Sequence, residues 1–331
     1  MTSKIIPLIS VVIPCFNEQE VIEITSQRLM ATFEPLDAYR LQMVFVDDGS
    51  QDATRQMLAK MALDDARIKV VTFSRNFGHQ EAVTAGLMHS DGDAAVVIDA
   101  DLQDPPEVIP EMIEKWQQGY QVVYGVRRAR KEGVLKRVAY FSFYRLLNTL
   151  SSIEIPMDSG DFALMDRSVL NVLKLLPEKN RFVRGLRAWA GFKQTGLPYE
   201  RAAREAGESK YSFFKLVKLA FDGIFNFSTR PLRLILIFGL MLFFFAGGSA
   251  VWLLLRRVFD ITLFGSSPSD VPGYASQMIV SLLFHGAQLI AIGVLGEYIG
   301  RIYQEVKQRP SYVIEQIVEK TSSQLEDKIT R

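Results

Sequence analysis

Short apolar runs alternate with stretches of helical period over the first 130 or so residues. The β-branched runs at 9–13, 43–46, 69–73, 94–98 and 122–124 predict buried strands. Amphipathic stretches at about 18–34, 51–64, 79–90 and 107–118 predict the helices between them, the first opened by an Asn17…Glu20 capping pair. This alternation predicts an α/β fold with a mostly parallel sheet covered on both faces. In such sheets ligands gather beyond the carboxyl ends of the strands. Polar residues stand at those ends: Asn17 and Glu18 after the first strand, Asp47 and Asp48 after the second, Asp99 and Asp101 after the fourth.

The pattern changes in the last third. Residues 234–255 form a run of 22 without Asp, Glu, Lys or Arg, and residues 271–296 form another of 26. A helix crosses a hydrocarbon core of ~30 Å with roughly 20 apolar residues, so two transmembrane helices are predicted, the other reading being a pair of buried core helices. Lys215, Lys218, Arg230 and Arg233 precede the first run and Arg301, Lys307 and Arg309 follow the second. That bias places the large N-terminal part and the C-terminal tail of a multi-pass protein in the cytosol. The expected layout is a catalytic domain over 1–210 with an amphipathic membrane-facing segment at 131–150, a juxtamembrane amphipathic helix at 211–230, spans at 231–256 and 274–297, an extracytoplasmic loop at 257–273 and a cytosolic tail at 298–331. The segment at 131–150 mixes Lys131, Lys136, Arg137 and Arg145 with Tyr140, Phe141, Phe143 and Tyr144, a composition suited to the headgroup region. Residues 5–16, broken by Pro7 and Pro14, read as strand and turn rather than a secretory signal.

Charge and cysteine usage narrow the classes. Thirty-eight Lys and Arg against 37 Asp and Glu leave a net charge of +1, without the basic excess that general nucleic-acid binding needs. The one cysteine, Cys15, forms no intramolecular disulfide and reads as a small apolar residue at a strand end. His285, inside the second apolar run, reads as a packing residue. Gly293, Gly296 and Gly300 give a small-residue spacing that suits close helix contact, within the chain or in a homo-oligomer.

The candidate chemistry is acidic. Asp99-Ala100-Asp101 on extended backbone puts two carboxylates on one side, with Gln103 alternating onto the same side. Like charges in one site raise each other's pKa, and a divalent cation relieves that. Mg²⁺ and Mn²⁺ are held by one or two carboxylates plus substrate phosphates and water, which favours a nucleotide diphosphate as the other ligand. Asp47-Asp48-Gly49-Ser50 reads either as a strand-to-helix turn capped by Ser50 or as a carboxylate that accepts the imide N–H of uracil.

Taken together, Pro14-Cys15-Phe16-Asn17-Glu18, Val46-Asp47-Asp48-Gly49-Ser50, Ser74-Arg75-Asn76-Phe77-Gly78, Asp99-Ala100-Asp101-Leu102-Gln103, Ser159-Gly160-Asp161-Phe162, Gly207-Glu208-Ser209-Lys210-Tyr211-Ser212 and Gly296-Glu297-Tyr298-Ile299-Gly300-Arg301 resemble the family-2 glycosyltransferases of GT-A fold. The branch most resembled is that of the polyprenyl-phosphate glycosyltransferases, the bactoprenol (undecaprenyl-phosphate) glucosyltransferases above all, with the dolichol-phosphate mannose synthases as relatives. The resemblance runs from about residue 8 to 313.

It implies a nucleotide-sugar donor, a polyprenyl-phosphate acceptor in the membrane, a divalent metal (Mg²⁺ or Mn²⁺), and transfer of a hexose with inversion. By position, Pro14, Phe16, Glu18, Val46 and Asp48 match the nucleotide pocket. Asp99, Ala100, Asp101 and Gln103 match the metal and diphosphate site. Arg127, Arg204 and Lys210 match basic residues around the donor phosphates, and Lys136 and Arg137 lie where the family meets the acceptor phosphate. Asp161 and Asp101 match the catalytic carboxylates. Two positions depart from the pattern: Ala163 stands where many relatives carry arginine, and His79-Gln80-Glu81 where many carry Lys-Glu. Glucose from UDP-glucose is the reading by resemblance, with UDP-N-acetylhexosamine and GDP-mannose as alternatives. A polysaccharide synthase is disfavoured by the absence of Gln-x-x-Arg-Trp, an oxidoreductase by the absence of Gly-x-Gly-x-x-Gly, and an inactive membrane scaffold by the intact acidic set.

Overall fold

The structure, a computed structural model, describes residues 6–127, 159–179, 181–200, 230–259 and 274–320. Strands β1 (Leu8–Cys15), β2 (Arg40–Asp47), β3 (Ile68–Phe73), β4 (Ala94–Val97) and β5 (Val122–Arg127) form where the β-branched runs stand. Between them lie α1 (Ile22–Phe33), α2 (Thr54–Asp64), α3 (His79–Met88) and α4 (Ile109–Gln117), the last preceded by a 3-10 turn at Pro106–Val108. Then follow β6 (Ser159–Asp166), α5 (Arg167–Leu175), α6 (Val183–Trp189), β7 (Gln194–Tyr199), α7 (Arg230–Val258), α8 (Tyr274–Val306) and β8 (Ile314–Glu319).

All eight strands share one sheet in the order β7-β5-β6-β4-β1-β2-β3-β8. Its centre is parallel: β1 pairs with β2 and β4, and β2 with β3. Ile9, Val11 and Ile13 of β1 and Met43 and Phe45 of β2 are buried in one apolar cluster with Ile22 and Leu29 of α1 and Met112 of α4. This is the near-continuous apolar strand pattern of a sheet covered on both faces.

Two antiparallel strands, β6 and β8, complete the sheet. Antiparallel β6 begins at the edge where β4 ends, with Ala163 opposite Val97, so Asp161 lies two residues beyond that pairing, beside Asp99. β5 runs antiparallel to β6 and β7 parallel to β5, which brings Arg127 and its register partner Tyr199 to the same edge.

The first loops depart from expectation. α1 starts at Ile22 and has no side-chain cap, so the Asn17…Glu20 pair does not cap it. Asn17 instead takes a left-handed φ of 56°, and its Oδ1 accepts the Gln51 N–H at 2.8 Å. Ser50 likewise is no helix cap, because α2 begins at Thr54; its Oγ accepts the Asn17 N–H at 3.0 Å.

Contacts divide the chain into two units, one of Met1–Thr149, Ile153–Gly223 and Arg309–Arg331, the other of Leu150–Ser152 and Ile224–Gln308. In the second unit α7, of 29 residues, covers the first charge-free run, and α8, of 33, covers the second from Tyr274 on. Side chains at several positions of both helices lie outside the described residues; counted over the described ones alone, no helix is long and apolar enough to cross a membrane. His285 Nδ1 bonds to the Ser281 carbonyl oxygen of its own helix at 2.6 Å, and Glu297 pairs with Arg301 at 2.8 Å. The expected segment at 131–150, residues 211–229 of the expected helix at 211–230, residues 260–273 of the expected loop at 257–273, and the last eleven residues lie outside the described residues, while 257 and 258 of that loop belong to α7.

Candidate active site

The loops after β1 and β2 are laced together. Besides the Asn17 bonds, the Glu18 N–H donates to Thr54 Oγ1 at 2.9 Å, and the Ala53 N–H to Gln19 Oε1 at 3.0 Å. Pro14 faces Val46 in register, and Cys15, buried, faces Asp47. Gly49 completes the turn with φ of 70°, and a Cβ there would stand 2.4 Å from the Arg75 carbonyl carbon. Only glycine suits both demands.

Asp48 is buried, and its carboxylate reaches the loop after β3. Its Oδ1 accepts the Phe77 N–H at 2.7 Å and its Oδ2 the Gly78 N–H at 3.0 Å. Burial pushes its carboxyl up against the lowering effect of those two donors. A carboxylate offers about four acceptor positions, so Oδ2 keeps capacity for one more donor. Asp47 Oδ1 accepts the Ser50 N–H at 3.0 Å, while its Oδ2 is buried without a partner.

Asp99 and Asp101 follow β4, and the Gln103 N–H donates to Asp101 Oδ1 at 3.1 Å. Leu102 takes a left-handed φ of 56°, turning the chain here. Ala100 is buried, its carbonyl held by Thr25 Oγ1 at 2.9 Å. Burial raises the Asp99 carboxyl, His79 opposes that rise, and Asp104, Asp161 and Asp101 add to it. Among the described residues no three His, Cys, Asp or Glu side chains are arranged to hold a metal unaided. The donor set is two carboxylates with an amide two residues on, in a crowd of like charge. Its chemistry fits a hard divalent cation whose remaining ligands are phosphate oxygens and water.

Asp161 is engaged by three side chains. Arg184 Nε donates to its Oδ1 at 2.7 Å and Nη2 to its Oδ2 at 3.2 Å. Gln80 Nε2 donates to Oδ2 at 3.0 Å, and His79 Nε2 lies 3.4 Å from the same oxygen. Burial alone would raise the carboxyl; the Arg184 charge and the bonds from His79 and Arg184 hold it well below the usual carboxylate range. His79 Nε2 also lies 3.7 Å from Asp99 Oδ1. Burial would lower the imidazole pKa, but Asp161 and Asp99 bring it up to about 9. Gln80 also bridges two helices, since its Oε1 accepts the Val183 N–H at 3.1 Å and so ties α3 to the start of α6.

Arg127, at the end of β5, lies 3.7 Å from the buried Asp104 and donates to the Tyr199 hydroxyl at 3.3 Å. That hydroxyl donates to Asp104. The structure thus brings together the expected Asp48, Asp99, Asp101, Asp161 and Arg127 along one sheet edge. Lys136, Arg137, Arg204 and Lys210 lie outside the described residues. Sequence reasoning missed His79 and Gln80 as partners of Asp161, although they follow a motif it singled out. It also missed Arg184, whose only signal is a run of arginines at 181, 184 and 187, and Asp104, one residue past Gln103.

A central parallel sheet with antiparallel β6 beside it, and acidic residues gathered at the carboxyl edge, is the GT-A arrangement of a glycosyltransferase. The chain belongs to glycosyl transferase family 2, whose model matches residues 10–173. It is 48% identical over 307 residues to the uncharacterized glycosyltransferase YkcC of Bacillus subtilis (strain 168), covering 92% of this chain and 93% of that protein. To the prophage bactoprenol glucosyl transferase homolog of Escherichia coli (strain K12) it is 44% identical over 310 residues, 93% of this chain and 99% of that one. The bactoprenol glucosyl transferase of Shigella phage SfII is 44% identical over 307 residues, 92% and 97% of the two chains. Glucosyl-3-phosphoglycerate synthase from Mycobacterium tuberculosis, crystallised with Mn²⁺ and UDP, aligns at 22% identity and a TM-score of 0.42 over 66% of this chain and 78% of its own, too distant to speak to substrate.

Proposed function

We propose that this family-2 glycosyltransferase moves a hexose, glucose from UDP-glucose, onto polyprenyl phosphate at the cytosolic face of a bacterial membrane. The observation that supports this most is the meeting of Asp48, Asp99, Asp101, Asp161 and Arg127 at one sheet edge, in a chain 44% identical to bactoprenol glucosyl transferases. Asp48 is the base-reading residue, its Oδ2 keeping capacity for an imide N–H. Pro14, Phe16, Glu18 and Val46 line the nucleotide side. Asp99, Asp101 and Gln103 would hold the divalent cation. That cation, Mg²⁺ or Mn²⁺, would neutralise charge on the departing diphosphate. Arg127, with Arg204 and Lys210, adds fixed positive charge there.

The acceptor phosphate monoester has a second pKa of about 6 and is mostly a dianion at neutral pH. One of its oxygens attacks the anomeric carbon as the bond to the diphosphate breaks, and that electron pair leaves with the nucleoside diphosphate. No proton has to be removed. Asp161, ionised and held by Arg184, His79 and Gln80, is a weak base; its role in this scheme is to fix those side chains in place, while Arg137 and Lys136 meet the acceptor phosphate.

The membrane reading rests on α7 and α8. Phe244 and Phe245 are 71% and 72% exposed and Leu289 and Ile290 each 69%, apolar surface that water disfavours and lipid accepts. The decisive assay incubates the full chain in lipid nanodiscs with undecaprenyl phosphate, Mn²⁺ or Mg²⁺, and labelled UDP-glucose, UDP-N-acetylglucosamine or GDP-mannose. Labelled lipid should form from UDP-glucose, fall to background with EDTA, and return with added metal. Asp101→Ala should reduce the rate at least about a hundredfold, the loss of ~2.7 kcal/mol of transition-state stabilisation. Unchanged turnover in either case sinks the site assignment.

A further inference from the structure

Helix α6 places two arginines one turn apart, and their situations are opposite. Arg184 is matched twice over by Asp161. Arg187 is 2% exposed, and neither its Nε nor its Nη2 has a hydrogen-bond partner. Its guanidinium lies over the Tyr124 ring, Cζ 5.3 Å from the centroid. Asp161 attracts it and Arg184 repels it from nearby, but both oxygens of Asp161 are already bonded, to Arg184 and Gln80. Burial lowers its pKa to about 10, so it is still a cation at neutral pH. Among the described residues no other buried cation has orphaned donors.

A buried charge with unbonded donors is costly, and an apolar side chain of similar volume at such a place is often neutral or stabilising. An anion that arrives with a ligand would supply the acceptors that Nε and Nη2 lack. The guanidinium fork matches phosphate oxygens in a bidentate manner. Tyr124, beneath it, pairs with Ala163 of β6, the strand that carries Asp161. We propose that Arg187 binds a phosphate group of a substrate, as an anion-receiving residue of the active site. This rests on the transferase reading, which offers two sources of that group: the donor diphosphate and the acceptor monophosphate.

The test compares wild type with Arg187→Met and Arg187→Lys, all as full chains in nanodiscs. Methionine should raise KM for one of UDP-glucose and undecaprenyl phosphate by about tenfold, a loss of ~1.4 kcal/mol, and leave the other within about twofold. Which KM moves identifies the source. Lysine, charged but without the fork, should fall between wild type and methionine. The ligand-free Tm of the methionine variant should equal or exceed that of wild type. Inorganic pyrophosphate and inorganic phosphate provide a readout independent of turnover: one of them should raise the wild-type Tm, with the shift lost in methionine.

Unchanged KM values in the methionine variant, or a loss spread evenly over both substrates and kcat, overturn the proposal. A methionine variant that unfolds while lysine keeps both wild-type KM values also overturns it, since the charge is then structural. If methionine unfolds and lysine raises one KM alone, the proposal stands. A wild type that makes no glycolipid from any of the sugars sinks the transferase reading; the anion then decides Arg187, standing if the Tm shift is lost in the variant and falling if it persists.

Discussion

Asp166 illustrates how much one side chain does in this sheet. It ends β6 and caps α5, its Oδ1 accepting the Ser168 N–H at 2.8 Å while its Oδ2 accepts Trp116 Nε1 at 2.7 Å. Asp166→Ala should cost about 1–2 kcal/mol, the loss of an N-cap, read from urea midpoints at neutral pH. Burial opposes ionisation, but the bonds from Ser168 and Trp116 win and lower its folded pKa. Its contribution is therefore complete above the ordinary carboxyl pKa of about 3.9 and is lost as pH falls through the lower folded value. The gap between wild type and variant should close in that acid window. Gly49→Ala should cost about 1–3 kcal/mol, since it adds a left-handed strain to the clash with Arg75. An unchanged Tm would mean the turn can relax. At this scale the sequence was informative about placement: Asp48, Asp99 and Asp101 follow the carboxyl ends of β2 and β4, as their position after the apolar runs predicted. It was silent where the role depends on a distant partner: the Arg184 bond to Asp161 and the Tyr199 bond to Asp104 join residues that only the folded sheet brings together.

The five β-branched runs became β1 to β5 because such residues suit a pleated surface buried on both faces. The remaining three strands were not legible. β7 reads Gln-Thr-Gly-Leu-Pro-Tyr, with two residues that weaken a strand signal, and β8 is a six-residue stretch after a long helix. β6, Ser-Gly-Asp-Phe-Ala-Leu-Met-Asp, was noticed for its Gly-Asp-Phe and not for its pairing. The sheet stays mostly parallel, as expected; β6 and β8 add its antiparallel pairings, and β6 carries Asp161 beside Asp99. β8 covers the β3 edge, with Val71 opposite Ile317, and Tyr312 stacks on Phe73 at 4.9 Å. Phe73 in turn meets Phe77, the residue whose N–H binds Asp48. Removal of residues 309–331 should therefore lower Tm, weaken UDP binding and promote aggregation through the bared strand edge. Calorimetry and light scattering check this, and a truncated chain that binds UDP as wild type does would show the edge strand to be dispensable.

For the whole molecule, the near-neutral charge argued against general nucleic-acid binding, and the two apolar runs carried the expectation of a membrane. The proposed topology leaves residues 257–273 on the far side of the membrane. A Ser267→Cys variant should react with an impermeant maleimide added outside intact cells, whereas Cys15, buried at the end of β1, should not. Labelling only after lysis would reverse the orientation. The expected layout put a cytosolic tail over 298–331 after the two helices. Instead the catalytic unit is left at Gly223 and resumed at Arg309, and β8 hydrogen-bonds back to β3. The two helices are thus inserted in the chain of one domain and are not an appendix to it. A protease that nicks the insertion should yield two pieces that still co-purify, and joining Gly223 directly to Arg309 through a short linker is the cut that would yield a water-soluble catalytic half without opening the sheet.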